Sequence, residues 1–214
     1  MFDMIMKKTI IFDFDGVLVD AEQVNQQAAI KTFQDLGMPL TEAEITSILG
    51  RASRSYVPEF LTVRERRDVA FHQQVIETLR RHYFRMWPQM ATIPDGLKEV
   101  LDALRARGKA FAIATTNLRK TVDMFFDKSG LRDYFPVIVT GDGAIGNKYT
   151  LAIRQCRVPP SEAIAVEDTA TGAESANSAG LECIVIPTPY SPEMVFPEGV
   201  IKIATLKDML NLEL

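Results

Sequence analysis

The chain has 214 residues, 47% of them hydrophobic and 24% charged, with a formal net charge of −4; it can bury a core as one domain of ordinary size or one carrying a sizeable insertion. An acidic balance gives no electrostatic case for nucleic acid or for an anionic membrane surface, and no apolar run approaches the ~18 residues needed to cross a bilayer. The amino terminus does not read as a signal peptide, since its apolar stretch carries Asp13 and Asp15 and lacks a small-residue cleavage site. Cys156 and Cys183, both in apolar surroundings, are too few for a disulfide framework and fit a reducing cytoplasm. The expectation is a cytoplasmic protein.

Thr9-Ile10-Ile11-Phe12 is an apolar, β-branched and aromatic run without polar alternation, which predicts a strand covered on both faces, as in a parallel sheet. Asp13-Phe14-Asp15-Gly16-Val17-Leu18-Val19-Asp20 follows it. Helical spacing then runs from Ala21 to Leu36 and ends at Gly37 and Pro39. Thr41 with Glu44 reads as a capping box opening a short helix through Leu49, with Gly50 as its stop. Pro58 is expected to break the next segment. A longer helix carries Val69, Val75, Ile76, Leu79, Tyr83 and Met86 on one face and ends at Trp87-Pro88; the charge run Arg64-Glu65-Arg66-Arg67-Asp68 at its start reads as a solvated face. Between 21 and 93 the pattern is helical, with no convincing strand.

From Pro94-Asp95-Gly96 helices and strands alternate. Leu97, Val100, Leu101 and Leu104 form a helical stripe closed by Gly108. Lys109 to Thr115 predicts a buried strand ending in Thr115-Thr116-Asn117, and a helix with Val122, Phe125 and Phe126 stops near Gly130. Val137 to Thr140 predicts a third strand, followed by a glycine-rich loop and a short helix around Leu151 to Cys156. Ala163 to Val166 leads into Glu167-Asp168, a small-residue helix runs to Gly180, and Cys183 to Ile186 is a fifth strand. The tail from Val200 adds at most a short strand and helix. This rhythm predicts an α/β doubly wound parallel sheet, formed by residues 1–20 and 94–214, with residues 21–93 inserted as a helical cap.

In such a sheet the carboxyl ends of the strands converge on one crevice. If the strand persists through Asp15, Asp13 and Asp15, two apart, leave it on one side; Gly16 permits a sharp turn and a close backbone approach. Adjacent carboxylates repel unless a cation or a shared proton relieves them, so the pair suggests a metal and phosphate site. The crevice gathers Asp13, Asp15, Thr115, Thr116, the loop with Lys148, and Glu167 with Asp168. Phosphoryl transfer through a covalent intermediate uses these residue types: a carboxylate to attack phosphorus, an acid to protonate the leaving oxygen, and a hydroxyl and a lysine to hold the phosphoryl oxygens. Magnesium prefers carboxylate and water oxygens, which acids on two strands can supply.

DFDGVLVD, the strand end at Thr115, a lysine before the fourth strand, and Glu167-Asp168 are similar, in order, to the four signatures of the haloacid dehalogenase-like superfamily. The resemblance covers nearly the whole chain, including VEDTATGAESANSAG from Val166 to Gly180, and is nearest to the phosphatase and β-phosphoglucomutase-like branch. It implies a Rossmann-like core with a helical cap, Asp13 as nucleophile forming an aspartyl phosphate, and Asp15 as general acid and base. By the same resemblance Thr115 and Lys148 grip the phosphoryl group, aided by Asn117 and the backbone NH of Gly16 and Thr116. Mg²⁺ is then held by Asp13, the backbone carbonyl of Asp15, Asp168 and Glu167. Dehalogenases lack the second aspartate and phosphonatases carry alanine there, so Asp15 argues against C–Cl and C–P cleavage. The mutases carry a threonine and a histidine where this chain has Ala21 and Asn25, which favours hydrolysis of a small phosphorylated metabolite; a monomer or a homodimer is expected. A phosphosugar mutase is the alternative among enzymes. One departure stands out: the family's Lys-Pro-x-Pro turn is replaced by Lys148-Tyr149-Thr150 in a shortened segment. If that loop kept the ammonium from the phosphate, activity would be weak, and a phosphate-binding or regulatory protein would be the non-enzymatic reading.

Other signals carry less. Gly141-Asp142-Gly143-Ala144-Ile145-Gly146 has dinucleotide-fingerprint spacing, but the helix after it is expected to start too late for the third glycine to lie inside it, which leaves nicotinamide binding as a minor alternative. His72 and His82, expected at the surface or half-buried on the long helix, have no G-x-S-x-G serine to serve. Arg51 and Arg54 stand either as contacts for a second anionic group of the substrate or as plain exposed loop arginines. Met86, Trp87 and Met90 read as packing.

Overall fold

Among the described residues, six parallel strands form one sheet. In the computed structural model, which describes residues 6–66, 68–142, 145–190 and 194–214, β1 (Thr9–Phe12) is followed by α1 (Glu22–Asp35), α2 (Glu42–Ile48), α3 (Ser53–Val63) and α4 (Val69–Met90). Then come α5 (Leu97–Ala106), β2 (Ala110–Ala114), α6 (Arg119–Ser129), β3 (Val137–Val139), α7 (Lys148–Cys156), β4 (Ala163–Glu167), α8 (Ala170–Ser178), β5 (Glu182–Val185) and β6 (Ile201–Lys202). The strand order is β3-β2-β1-β4-β5-β6, the doubly wound order whose direction reverses between β1 and its neighbour β4. The predicted α/β doubly wound fold with a helical insertion is therefore the fold observed. The chain divides into one unit made of residues up to Asp20 with Ile93–Leu214, and a second unit, Ala21–Thr92.

Alternate strand residues point to opposite faces, and the two faces of this sheet differ. One is aromatic: Phe12 packs edge-on at 5.9 Å from Phe111 and 6.1 Å from Phe135. The other is built from small residues, Ala112, Ala114, Ala163, Ala165 and Cys183, packed with Tyr149, Ala152, Ala173 and Ala176 of α7 and α8. Alanines on the sheet and on both helices let α7 and α8 lie close to it, and the larger Ile11, Val139, Tyr149, Ile153 and Val185 fill the rest of this layer. Neither cysteine is in a disulfide.

The inserted unit is all helical, with Ala29, Phe33, Ile48, Tyr56, Val57, Phe60, Leu61, Val75 and Leu79 as its core. The capping box at Thr41 forms as expected, with Glu44 N donating to Thr41 Oγ1 and Thr41 N to Glu44 Oε2. Four expectations are corrected here. Pro58 does not break the chain but lies inside α3; Tyr56, Val57, Phe60 and Leu61 are buried on either side of it, and burial at ~1.5–3 kcal/mol per large apolar side chain outweighs the ~3 kcal/mol cost of an interior proline. Helix α4 does not end at Trp87-Pro88 but passes through Pro88 to Met90, with Trp87 fully buried and Ala91 N donating to Trp87 O at 2.9 Å. Arg64 is not a solvated member of its charge run. Its guanidinium donates to both oxygens of Glu44 at 2.6 and 2.8 Å and stacks on Phe33 and Phe60, while Arg67 of the same run lies outside the described residues. His82 is buried, with Nε2 2.9 Å from Asp35 Oδ2, so its polar end is satisfied inside the helix bundle; His72 is half-buried. Among the described residues no helix is long and apolar enough to cross a membrane.

Candidate active site

The reversal of strand order opens a crevice between β1 and β4, and the register sets what enters it. Phe12 is level with Val166, and Asp13 N donates to Val166 O at 2.8 Å, extending the ladder by one step. Asp13 therefore leaves β1 beside Glu167 and Asp168 at the end of β4. Carboxylate oxygens of Asp13, Glu167 and Asp168 lie within 4.8 Å of one another. The strand does not persist to Asp15 as the shared-side expectation required: β1 ends at Phe12, and Asp15 belongs to the turn after it, where Gly16 N donates to Val19 O and Leu18 N to Phe14 O. Gly16 has φ +73°, and a Cβ there would collide with the Asp168 carboxylate.

Lys148 opens α7. Asn147 caps the helix, accepting from the backbone N–H of Tyr149 and Thr150, and so turns Lys148 toward the strand ends. Its ammonium lies 2.9 Å from Asp13 Oδ1 and 2.8 Å from Glu167 Oε1; the shortened segment carries the lysine to the acids. Glu167 is fully buried and densely bonded. Oε1 accepts from Lys148 and from Tyr149 OH at 2.7 Å, and Oε2 accepts from Thr169 Oγ1 at 3.1 Å, Asp168 N at 3.2 Å and Thr169 N at 3.4 Å. A Cβ on Gly172 would collide with the Glu167 carboxylate, so the first turn of α8 closes over this acid only because position 172 is glycine.

Three acids face one ammonium, and a buried surplus of negative charge shifts their proton affinities. Burial, reinforced by Asp13, Glu167 and Asp15, pushes Asp168 up to about 9. Burial and the charge of Glu167 raise Asp13 to about 6, against the pull of Lys148. For Lys148 burial favours loss of the proton, but the two carboxylates outweigh it and hold the ammonium charged. A crowded set of hard carboxylate oxygens with excess negative charge is a donor set that fits Mg²⁺.

The second edge of the crevice is the loop after β2. Thr115 is buried, its N–H donates to Val139 O at 2.9 Å, and its Oγ1 accepts from Asn117 N at 3.0 Å. Thr116 is exposed. The Asn117 amide donates to the Asp15 carboxylate, so the structure commits this side chain to orienting Asp15. The glycine-rich loop braces the same turn. Gly141 N donates to Asn117 O at 2.7 Å, a Cβ on Gly141 would strike the Thr116 carbonyl, and Asp142 accepts from Arg119 N at the start of α6. Gly143 and Ala144 of that loop lie outside the described residues. Helix α7 begins two residues beyond Gly146, so the third glycine is not inside a helix as a dinucleotide fingerprint requires.

Arg51 and Arg54 belong to the inserted unit and are described only within it. Arg51 donates to Glu59 at 2.6 Å and Arg54 is exposed on α3. Sequence reasoning did not single out Tyr149, Thr169 or Gly172. Thr169 carried a signal, a threonine directly before a small-residue helix, and it does cap α8 by accepting from Gly172 N. Tyr149 stood out only as part of the altered turn after Lys148, with no sign of a bond to Glu167.

The chain as a whole is similar to known proteins. A model of the haloacid dehalogenase-like hydrolase family matches residues 10–186. The phosphorylated carbohydrates phosphatase of Thermotoga maritima is 26% identical over 213 residues, covering 95% of this chain and 97% of its own. The validoxylamine A 7′-phosphate phosphatase of Streptomyces hygroscopicus subsp. limoneus is 25% identical over 213 residues, covering 95% of each. The crystal structure of CbbY from Rhodobacter sphaeroides in complex with phosphate superimposes with a TM-score of 0.81 at 25% identity, covering 97% of this chain and 100% of that one.

Proposed function

The chain belongs to the haloacid dehalogenase-like hydrolase family and is a phosphohydrolase, and from that premise we propose that it hydrolyses a small phosphorylated metabolite, with Mg²⁺, through an aspartyl phosphate on Asp13. The observation that carries this reading is the Lys148 ammonium shared between Asp13 and Glu167 at the strand-order reversal, with Asp168 beside them. Asp13 attacks phosphorus and the bond to the leaving oxygen breaks. Asp15, oriented by Asn117, protonates that oxygen and later takes a proton from the water that hydrolyses the aspartyl phosphate. Lys148, the Thr115 hydroxyl and the backbone N–H groups of Gly16 and Thr116 hold the phosphoryl oxygens as charge moves onto them.

Asp13 and Asp168, with the backbone carbonyl of Asp15, would hold Mg²⁺, and Glu167 completes the negative cluster around it. When bound, the cation offsets the repulsion between the acids and the phosphoryl oxygens. The helical unit serves as a cap that selects the substrate, with Arg51 and Arg54 as candidate contacts for a second anionic group. The non-enzymatic alternative rested on a lysine too distant to act, and a separation of 2.9 Å from Asp13 removes that motive.

A screen of phosphorylated metabolites with and without Mg²⁺ tests the reading. Inorganic phosphate released only with the metal supports it. Interconversion of hexose phosphates without release would point to a mutase, and absence of turnover with intact Mg²⁺ binding would sink the hydrolase.

A further inference from the structure

We infer that Tyr149 is a positioning residue of this site, acting through Glu167 to keep the Lys148 ammonium on Asp13. The inference rests on the phosphohydrolase reading and adds a residue to it. In the family turn proline follows the lysine, whereas here a tyrosine does, and it is wholly buried. It holds its neighbour in two ways: its hydroxyl donates to Glu167 Oε1 at 2.7 Å, and its ring centroid lies 5.0 Å from Lys148 Nζ.

A carboxylate offers about four lone-pair sites, and Glu167 accepts five hydrogen bonds, all from protein donors. Oε1 has only two of them, from Lys148 and Tyr149. The hydroxyl thus satisfies acceptor capacity that would otherwise fall wholly to the ammonium. Lys148 stands nearly equidistant from its two acids, at 2.8 and 2.9 Å, so a small change in the demand of Glu167 decides which acid it serves. Without the hydroxyl, the buried Glu167 has one partner on that oxygen and draws Lys148 away from Asp13, where the phosphoryl group is to be held.

Tyr149→Phe retains the ring and removes only the oxygen. A crystal structure of this variant and its steady-state kinetics, beside wild type, test the inference. The expected result is Lys148 Nζ beyond hydrogen-bonding distance of Asp13, with kcat lower by about tenfold, the size of one charge-assisted hydrogen bond, and a smaller change in KM. Lys148 unmoved in the variant would overturn the inference whatever the rate. A displaced lysine with unchanged kcat would equally overturn it, since the position would then not matter. A displaced lysine in a protein whose wild type hydrolyses nothing would leave the positioning in place and overturn the phosphohydrolase reading instead. A melting temperature measured on both proteins separates these results from unfolding.

Discussion

Gly16 and Asp168 are packed so that no side chain can stand at position 16: a Cβ there would occupy the space of the Asp168 carboxylate. The backbone there is also left-handed, at φ +73°, which costs an L-residue about 1–2 kcal/mol. Gly16→Ala is therefore predicted to lose at least that much stability in denaturant melts, and to lose most of its phosphate release because Asp168 must move. Wild-type behaviour in both measurements would refute the packing.

The acids also predict a pH dependence of stability. Asp13 and Asp168 are raised to about 6 and about 9 from 3.8, so in the folded state each prefers its proton more than in the unfolded chain. Their contribution is fully present below the unfolded value and is lost as pH rises through the folded values. The metal-free protein should melt at progressively lower temperature from about pH 5 to about pH 9. Mg²⁺ should raise the melting temperature most at the alkaline end, because binding requires the protons to leave. Melts with EDTA and with Mg²⁺ across that range check both statements.

Lys148→Met leaves Asp13 and Glu167 without the cation they share. Removing one partner from a buried ion pair costs about 3–5 kcal/mol, part of which protonation of Asp13 will recover. We expect a clear loss of stability in the metal-free protein, and a fall in kcat of at least about a hundredfold because the phosphoryl oxygens lose a donor. Urea melts and phosphate release measure the two effects separately.

In the helical unit, the Arg64 guanidinium, with burial opposing it, holds Glu44 down to about 2 from 4.5. The pair's stabilisation is present above the unfolded value and lost as pH falls through about 2. Glu44→Gln should cost about 1 kcal/mol at neutral pH, with the gap from wild type closing in acid. A gap that persists at low pH would mean that the charge contributes nothing.

The sheet and the family were legible because they are written in local patterns. Runs such as Thr9–Phe12 and Ala110–Ala114 have no polar alternation, and a strand buried on both faces needs none. The same logic located Asp13, Asp15, Glu167 and Asp168 at strand ends. What stayed hidden depends on partners distant in sequence. Proline at 58 and 88 reads as a break until the side chains buried around it are counted. Arg64 looks like one charge among five until Glu44, Phe33 and Phe60 surround it. Whether Lys148 reached Asp13 turned on the path of a short loop, and Tyr149 was visible only as part of that altered turn until Glu167 lay against its hydroxyl. Gly172 was one more small residue until Glu167 lay against it.

Asp13 is the group on which the proposed hydrolysis turns, because it takes the phosphoryl. Quenching the enzyme in acid during turnover of a phosphorylated substrate, then mapping phosphate on the digested chain, tests this directly. Phosphate on the peptide containing Asp13, absent in Asp13→Asn together with all phosphate release, is the predicted result. Phosphate release that survives Asp13→Asn would contradict it.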